Sequence, residues 1–197
     1  MNRMALTDRF SDALVYAAQK HRFQVRKGSG VPYLSHLLQV AGLALEHGAD
    51  EDVGIGALLH DVIEDCGKET IEEIREQFGE RVLEVVKGCS DTLDKAHESR
   101  PWRQRKEDYL EHLRTAASDD VLLVSCCDKI HNSRSILSDL KQQGDSIWEI
   151  FQGKREGTLW YYRTLVEAYR TTSAPERLVR ELDEVVSEME RLAASRP

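Results

Sequence analysis

The chain has 197 residues, 41% hydrophobic and 31% charged with only four prolines, enough apolar material for one buried core and too much for a disordered chain. Lys and Arg number 27 against 35 Asp and Glu, a formal charge of -8; this excludes polymeric nucleic acid as the expected partner but leaves room for a local basic pocket around a small anion. Residues Met1 to Phe10 contain Arg3, Asp8 and Arg9 rather than an apolar run, and no stretch approaches ~18 uninterrupted apolar residues, so neither signal peptide nor membrane span is expected and a cytoplasmic location is.

Apolar residues recur mainly at helical spacing, without the alternating runs and hairpin signals of a sheet protein, and predict an all-α fold of about ten helices. Phe10, Ala13, Leu14, Ala17, Ala18 and His21 trace one face of a first helix, expected to give out around Arg26-Lys27-Gly28-Ser29-Gly30. Pro32 is expected to open a second helix from its first turn, with Leu34, Leu37, Leu38, Ala41 and Leu45 as the buried stripe and Gly48 as the stop. A third helix begins near Asp50 or Glu51 and runs through Ile55, Leu58, Leu59, Val62 and Ile63 to Cys66-Gly67. It is apolar on more than one face and so expected at the centre.

Thr70-Ile71-Glu72-Glu73 reads as a capping box starting a fourth helix to Phe78-Gly79, and Val82, Leu83, Val85 and Val86 mark a fifth. Residues 91–101 lack a sustained apolar period and read as a polar loop. A sixth helix covers about 102–117, and Ser118 caps a seventh; Val121 to Val124 alone suits a strand, but the period continuing to Ile136 and Leu137 decides for helix. Two helices at about 146–152 and 155–171 carry Trp148, Phe151, Trp160, Tyr161 and Tyr162, aromatics expected in the core. Ser173-Ala174-Pro175-Glu176 then caps a final amphipathic helix. Cys66, Cys89, Cys126 and Cys127 show no CxxC spacing, and the last two are adjacent, so reduced thiols are expected.

The chemistry concentrates in His60-Asp61-Val62-Ile63-Glu64-Asp65, where four polar residues interrupt an apolar helix. Helical geometry puts His60 near Glu64 and Asp61 near Asp65, while His60 and Asp61 can converge on one ion; three carboxylates within two turns need a cation or proton to compensate them. His36 interrupts the apolar face of the second helix. Asp128 lies inside the apolar seventh helix, with His131 and Asn132 at i+3 and i+4. His36, His60, Asp61 and Asp128 offer two imidazoles and two carboxylates, a donor set suited to Mn²⁺, Fe²⁺ or Zn²⁺.

These residues resemble the H…HD…D signature of the HD-domain metal-dependent phosphohydrolases. More narrowly, Gln24-Val25-Arg26-Lys27, Pro32-Tyr33-Leu34-Ser35-His36, the HDxxED segment and Asp128-Lys129-Ile130-His131-Asn132-Ser133-Arg134 resemble the hydrolase domains of the RelA/SpoT family, including its small stand-alone alarmone hydrolases. The resemblance implies an HD-domain helical bundle over residues 1–172, motif-bearing over about 8–140, followed by a C-terminal helix over 173–197. It implies Mn²⁺-dependent removal of the 3′-pyrophosphate from guanosine tetra- or pentaphosphate, with His36, His60, Asp61 and Asp128 as metal ligands. Glu64 and Asp65 match the family's acidic catalytic pair, and Arg26, Lys27 and Asn132 match its nucleotide contacts.

Leu37 replaces the proline that commonly follows the metal-binding histidine, and Cys-Ser-Asp-Thr follows Gly88 where Val-Thr-Lys is usual. Arg103, Arg105 and Lys106 can return basic groups to the substrate from the sixth helix. The alternatives to a guanosine alarmone are the 2′-phosphate of NADPH and an adenosine alarmone; a nucleotide-binding regulator without turnover is the non-enzymatic one. The final helix can close the core or form a homodimer interface.

Overall fold

The computed structural model describes residues 5–90 and 99–195. Among these, the chain forms ten α-helices: α1 (Asp8–Lys20), α2 (Leu34–Glu46), α3 (Glu51–Leu59), α4 (Val62–Cys66), α5 (Thr70–Phe78), α6 (Glu80–Cys89), α7 (Trp102–Thr115), α8 (Asp119–Gln143), α9 (Lys154–Arg170) and α10 (Glu176–Ala194). A 3-10 helix, Gly144–Ile150, joins α8 to α9. The β pairing found among the described residues is one antiparallel bridge, Val25 to Pro32. The expected polar loop lies mostly outside them. None of their helices is long and apolar enough to cross a membrane.

The 25-residue α8 is the axis of the bundle, packed against α2, α3, α6, α9 and α10. Residues Val121 to Asp128 are buried in unbroken succession, which is why the local pattern there resembles a strand: a helix enclosed on all sides shows no polar face. Ser118 caps it as expected, its hydroxyl accepting from Val121 N at 3.3 Å. The strongly amphipathic α10 lies on α8 and α9 and buries Leu178, Leu182, Val186 and Met189 in the common core. Trp148, Tyr161 and Tyr162 are buried as well. All four cysteines are free.

Every residue of α3 from Val53 to Leu59 is buried. Its close approach to α6 depends on Gly56, where a Cβ would stand 2.6 Å from Val85 Cγ1. The expected continuous helix from residue 51 to 66 is instead two. The helix breaks at His60-Asp61, with Asp61 at φ -98°, ψ -3°. Asp61 O still accepts from Asp65 N at 2.9 Å and so starts α4. Burial of two polar side chains that need tertiary partners overrides the helical period here.

Other local expectations are corrected. Thr70 does not open a capping box: its hydroxyl donates to Gly67 O at 2.6 Å, and Glu73 pairs with Lys20 and accepts from Tyr16. Pro32 lies before α2 rather than in its first turn, because it is held in the bridge to Val25. Leu38 is 45% exposed, and His36 and Val40 take the buried face with Leu37 and Ala41. Ser173 does not cap α10; it donates to Asp119 instead. The first helix ends at Lys20, several residues before the glycine-rich stretch, and the loop between carries part of the site.

Candidate metal centre and active site

Three separate elements deliver the cluster. His36 comes from the first turn of α2, His60 and Asp61 from the break between α3 and α4, and Asp128 from the middle of α8. His36, His60 and Asp128 are buried, and one ligand atom from each lies within 4.8 Å of the others. His36 Nε2 is 3.1 Å from Asp128 Oδ1 and 3.6 Å from Asp61 Oδ2. His60 Nε2 is 2.9 Å from Asp61 Oδ2 and 3.6 Å from Asp128 Oδ1.

Both rings are turned by bonds on their far side. His60 Nδ1 lies 2.9 Å from Ala57 O, an acceptor only, so that nitrogen carries the proton and Nε2 faces the carboxylates. His36 Nδ1 lies 2.7 Å from His131 Nδ1. Burial, with His36 and Arg26 nearby, depresses His131 to about 4, so His131 is neutral and can accept the His36 proton. The two inward Nε2 atoms are buried and make no well-aligned hydrogen bond, although each lies 2.9–3.1 Å from a carboxylate oxygen. Imidazole nitrogens converging on two carboxylates in this way fit a divalent cation, with His131 orienting one of the rings from behind.

The electrostatics agree. Burial works against charge on His60, but Asp61 and Asp128 outweigh it and hold the ring well above its ordinary value. Burial likewise opposes ionisation of Asp61 and Asp128. The histidines, and for Asp128 first the Lys129 ammonium, outweigh it and hold both carboxyls well below theirs. The cluster thus favours positive charge at its centre.

Around this centre, Asn132 donates to Asp128 Oδ1 and accepts from Arg26 at 2.7 Å. Lys27 is exposed beside Arg26. Glu64 and Asp65 occupy α4 with exposed side chains, one turn beyond the break. Asp65 accepts from Gln24 Nε2 at 2.8 Å. Although one flank of Asp65 is open, partial loss of water and the Asp61 charge raise its carboxyl above the ordinary value.

On α7, Arg103 lies 3.1 Å over the Trp160 ring and pairs with Glu107, Arg105 donates to Gln152, and Lys106 lies 5.2 Å from the Tyr161 ring. Sequence reasoning gave no role to Tyr33 or Gln24, and to Lys129 only that of a salt-bridge partner for Asp128. Tyr33 donates to Asp61 Oδ2 at 2.6 Å, and the half-buried Lys129 pairs with Asp128. The available signal was their presence within the conspicuous motifs; a lysine amid an apolar helix needs an anionic partner. A cavity of about 490 Å³ lies elsewhere, lined by Leu6, Arg9, Leu45, Asp52 and Arg81 among others.

Known proteins resemble this chain in sequence and in fold. The HD-domain family model matches residues 13–159. A protein of Aquifex aeolicus named guanosine-3′,5′-bis(diphosphate) 3′-pyrophosphohydrolase is 37% identical over 125 residues, 63% of this chain and 17% of that protein. A GTP pyrophosphokinase of Myxococcus xanthus is 39% identical over 141 residues, 68% of this chain and 18% of that one. The chain thus spans less than a fifth of the length of these curated relatives. The solved structure of a metazoan orthologue of SpoT, described as hydrolysing ppGpp and acting in starvation responses, matches with a TM-score of 0.76 at 28% identity, covering 93% of this chain and 97% of that one.

Proposed function

The chain belongs to the HD-domain family, and we propose that it is a metal-dependent phosphohydrolase that removes the 3′-pyrophosphate from guanosine tetra- and pentaphosphate. The observation that carries this reading is the convergence of the buried Nε2 atoms of His36 and His60 on the carboxylates of Asp61 and Asp128. These four residues would hold the ion. Nitrogen and carboxylate donors without thiolate suit Mn²⁺, with Fe²⁺ and Zn²⁺ as alternatives. When bound, the ion supplies Lewis-acid polarisation of a phosphoryl oxygen and a water of lowered pKa.

In the proposed reaction, water attacks the phosphorus bonded to the ribose 3′ oxygen. The P–O3′ bond breaks, the ribose oxygen gains a proton and pyrophosphate leaves. Glu64 and Asp65, one helical turn past the metal-facing residues, move the proton; the raised Asp65 carboxyl suits that exchange. Arg26, Lys27 and Asn132 hold the anionic substrate opposite them. The names of the Aquifex protein and the SpoT orthologue support the alarmone as substrate, and the acidic chain favours a small nucleotide in the cytoplasm over a nucleic-acid polymer. Glu64→Gln tests the mechanism: abolished hydrolysis with retained nucleotide binding is expected, and unchanged turnover removes Glu64 from it.

A further inference from the structure

His21 and Gln24 lie in the turn that follows α1 and enter none of the roles above. Their backbones lock that turn: Gln24 N donates to His21 O at 3.0 Å, and Gln24 O accepts from Tyr33 N at 2.9 Å. Gln24 Nε2 donates to Asp65 Oδ2 at 2.8 Å, and Gln24 Oε1 lies 2.6 Å from His21 Nδ1. His21 is only 2% exposed. Its ring stacks on Tyr33 with centroids 5.3 Å apart and an interplanar angle of 27°, and Tyr33 donates to Asp61 Oδ2.

Hydrogen-bond chemistry gives this chain one direction. An ionised carboxylate only accepts, so the NH₂ of Gln24 faces Asp65 and its oxygen faces His21. That oxygen also only accepts, so His21 carries a proton on Nδ1. His21 Nε2 is buried without a partner. An unsatisfied ring lone pair is the milder of the two possible defects, because orphaned N–H groups are the rarer in folded proteins.

We propose that His21 and Gln24 are positioning residues, a relay anchored on the buried His21 that fixes the orientation of the Asp65 carboxylate while the His21 ring braces Tyr33 against Asp61. The inference deepens the functional reading above and rests on it for the role of Asp65. The hydrogen bonds themselves stand on geometry. Gln24 is the one side chain in the turn whose amide meets both partners, so neither a donor alone nor an acceptor alone can replace it.

Gln24→Met keeps the side chain's length without its hydrogen bonds, His21→Phe keeps the stack on Tyr33 without the Nδ1 donor, and His21→Asn restores an N–H near that position. With ppGpp and Mn²⁺, Gln24→Met and His21→Phe are each expected to lower kcat roughly 10-fold with KM within about twofold, since a small misplacement of a catalytic group costs rate rather than binding. The double variant is expected to fall no further than the worse single, and His21→Asn to recover most of the rate. The second readout is independent of turnover: ¹⁵N NMR at alkaline pH should find the wild-type His21 proton on Nδ1, and should find that preference lost in Gln24→Met. A wild-type ring protonated on Nε2 overturns the relay, as do single-variant losses that multiply. Absence of hydrolysis in the wild type overturns the functional reading instead, and the tautomer measurement still decides the relay.

Discussion

The Arg26 guanidinium donates to the Asn132 side-chain oxygen at 2.7 Å, and Asn132 donates in turn to Asp128. One amide therefore joins the basic loop after α1 to a metal-facing carboxylate on α8. Asp128 and Asn132 are one helical turn apart, so the same face of α8 presents both the proposed cation ligand and the proposed substrate contact.

This link separates binding from chemistry. Arg26→Gln is expected to raise KM for ppGpp roughly 10- to 100-fold, the cost of a charge-assisted phosphate contact, while metal content stays at the wild-type value. Steady-state kinetics with metal analysis on the same preparation checks it. A lowered metal content would place Arg26 with the ion rather than the nucleotide.

Removing a proposed ligand should act the other way. His36→Ala and Asp128→Ala are expected to lose tight metal binding along with turnover, because the remaining donors are too few and Asp128→Ala also leaves the half-buried Lys129 ammonium without its carboxylate. Titration with Mn²⁺ followed by thermal melting distinguishes the variants: His36→Ala should fold and fail to gain stability from the ion, whereas Asp128→Ala should also melt lower without it.

The pH dependence of the metal-free protein follows from the cluster. His60 sits above its ordinary value of 6.5, so its stabilising contribution is complete below 6.5 and is lost as pH rises through the elevated value. Asp61 and Asp128 sit below their ordinary 3.8, so theirs is present above 3.8 and lost as pH falls through the depressed values. A cation must displace the His60 proton. Its affinity is therefore expected to rise with pH, and calorimetry in buffers of different ionisation enthalpy should detect proton release on binding.

Gly56 tests the packing that holds the cluster. Gly56→Ala drives a Cβ against Val85 and is expected to cost about 1–3 kcal/mol, seen as a lower Tm. Val85→Ala in the same chain should return part of that loss. Additive destabilisation would show that the two residues do not share the contact.

The clustering residues were legible because polar groups in apolar helices stand out against the pattern: His36, His60, Asp61 and Asp128 each interrupt an apolar face. The helices were legible for the same reason, down to the Ser118 cap. The break at His60-Asp61 was not, since it arises from partners on other elements, Tyr33 and Asp128 among them. Thr70 and Glu73 carried the spacing of a capping box, yet a local hydrogen bond to Gly67 and a long-range one from Tyr16 took the two side chains. His21 continued the apolar face of the first helix and Gln24 showed no spacing signal; a turn, not a helical period, brings Gln24 to Asp65.

The most direct measurement is chromatographic product analysis of ppGpp, pppGpp, ppApp and NADPH incubated with the protein and Mn²⁺, with EDTA and His60→Ala as controls. The account expects GDP and pyrophosphate from ppGpp, GTP and pyrophosphate from pppGpp, and loss of both reactions in each control. Release of phosphate from NADPH without cleavage of either guanosine alarmone would contradict the proposed substrate, and tight alarmone binding with no metal-dependent product would contradict the proposed catalysis.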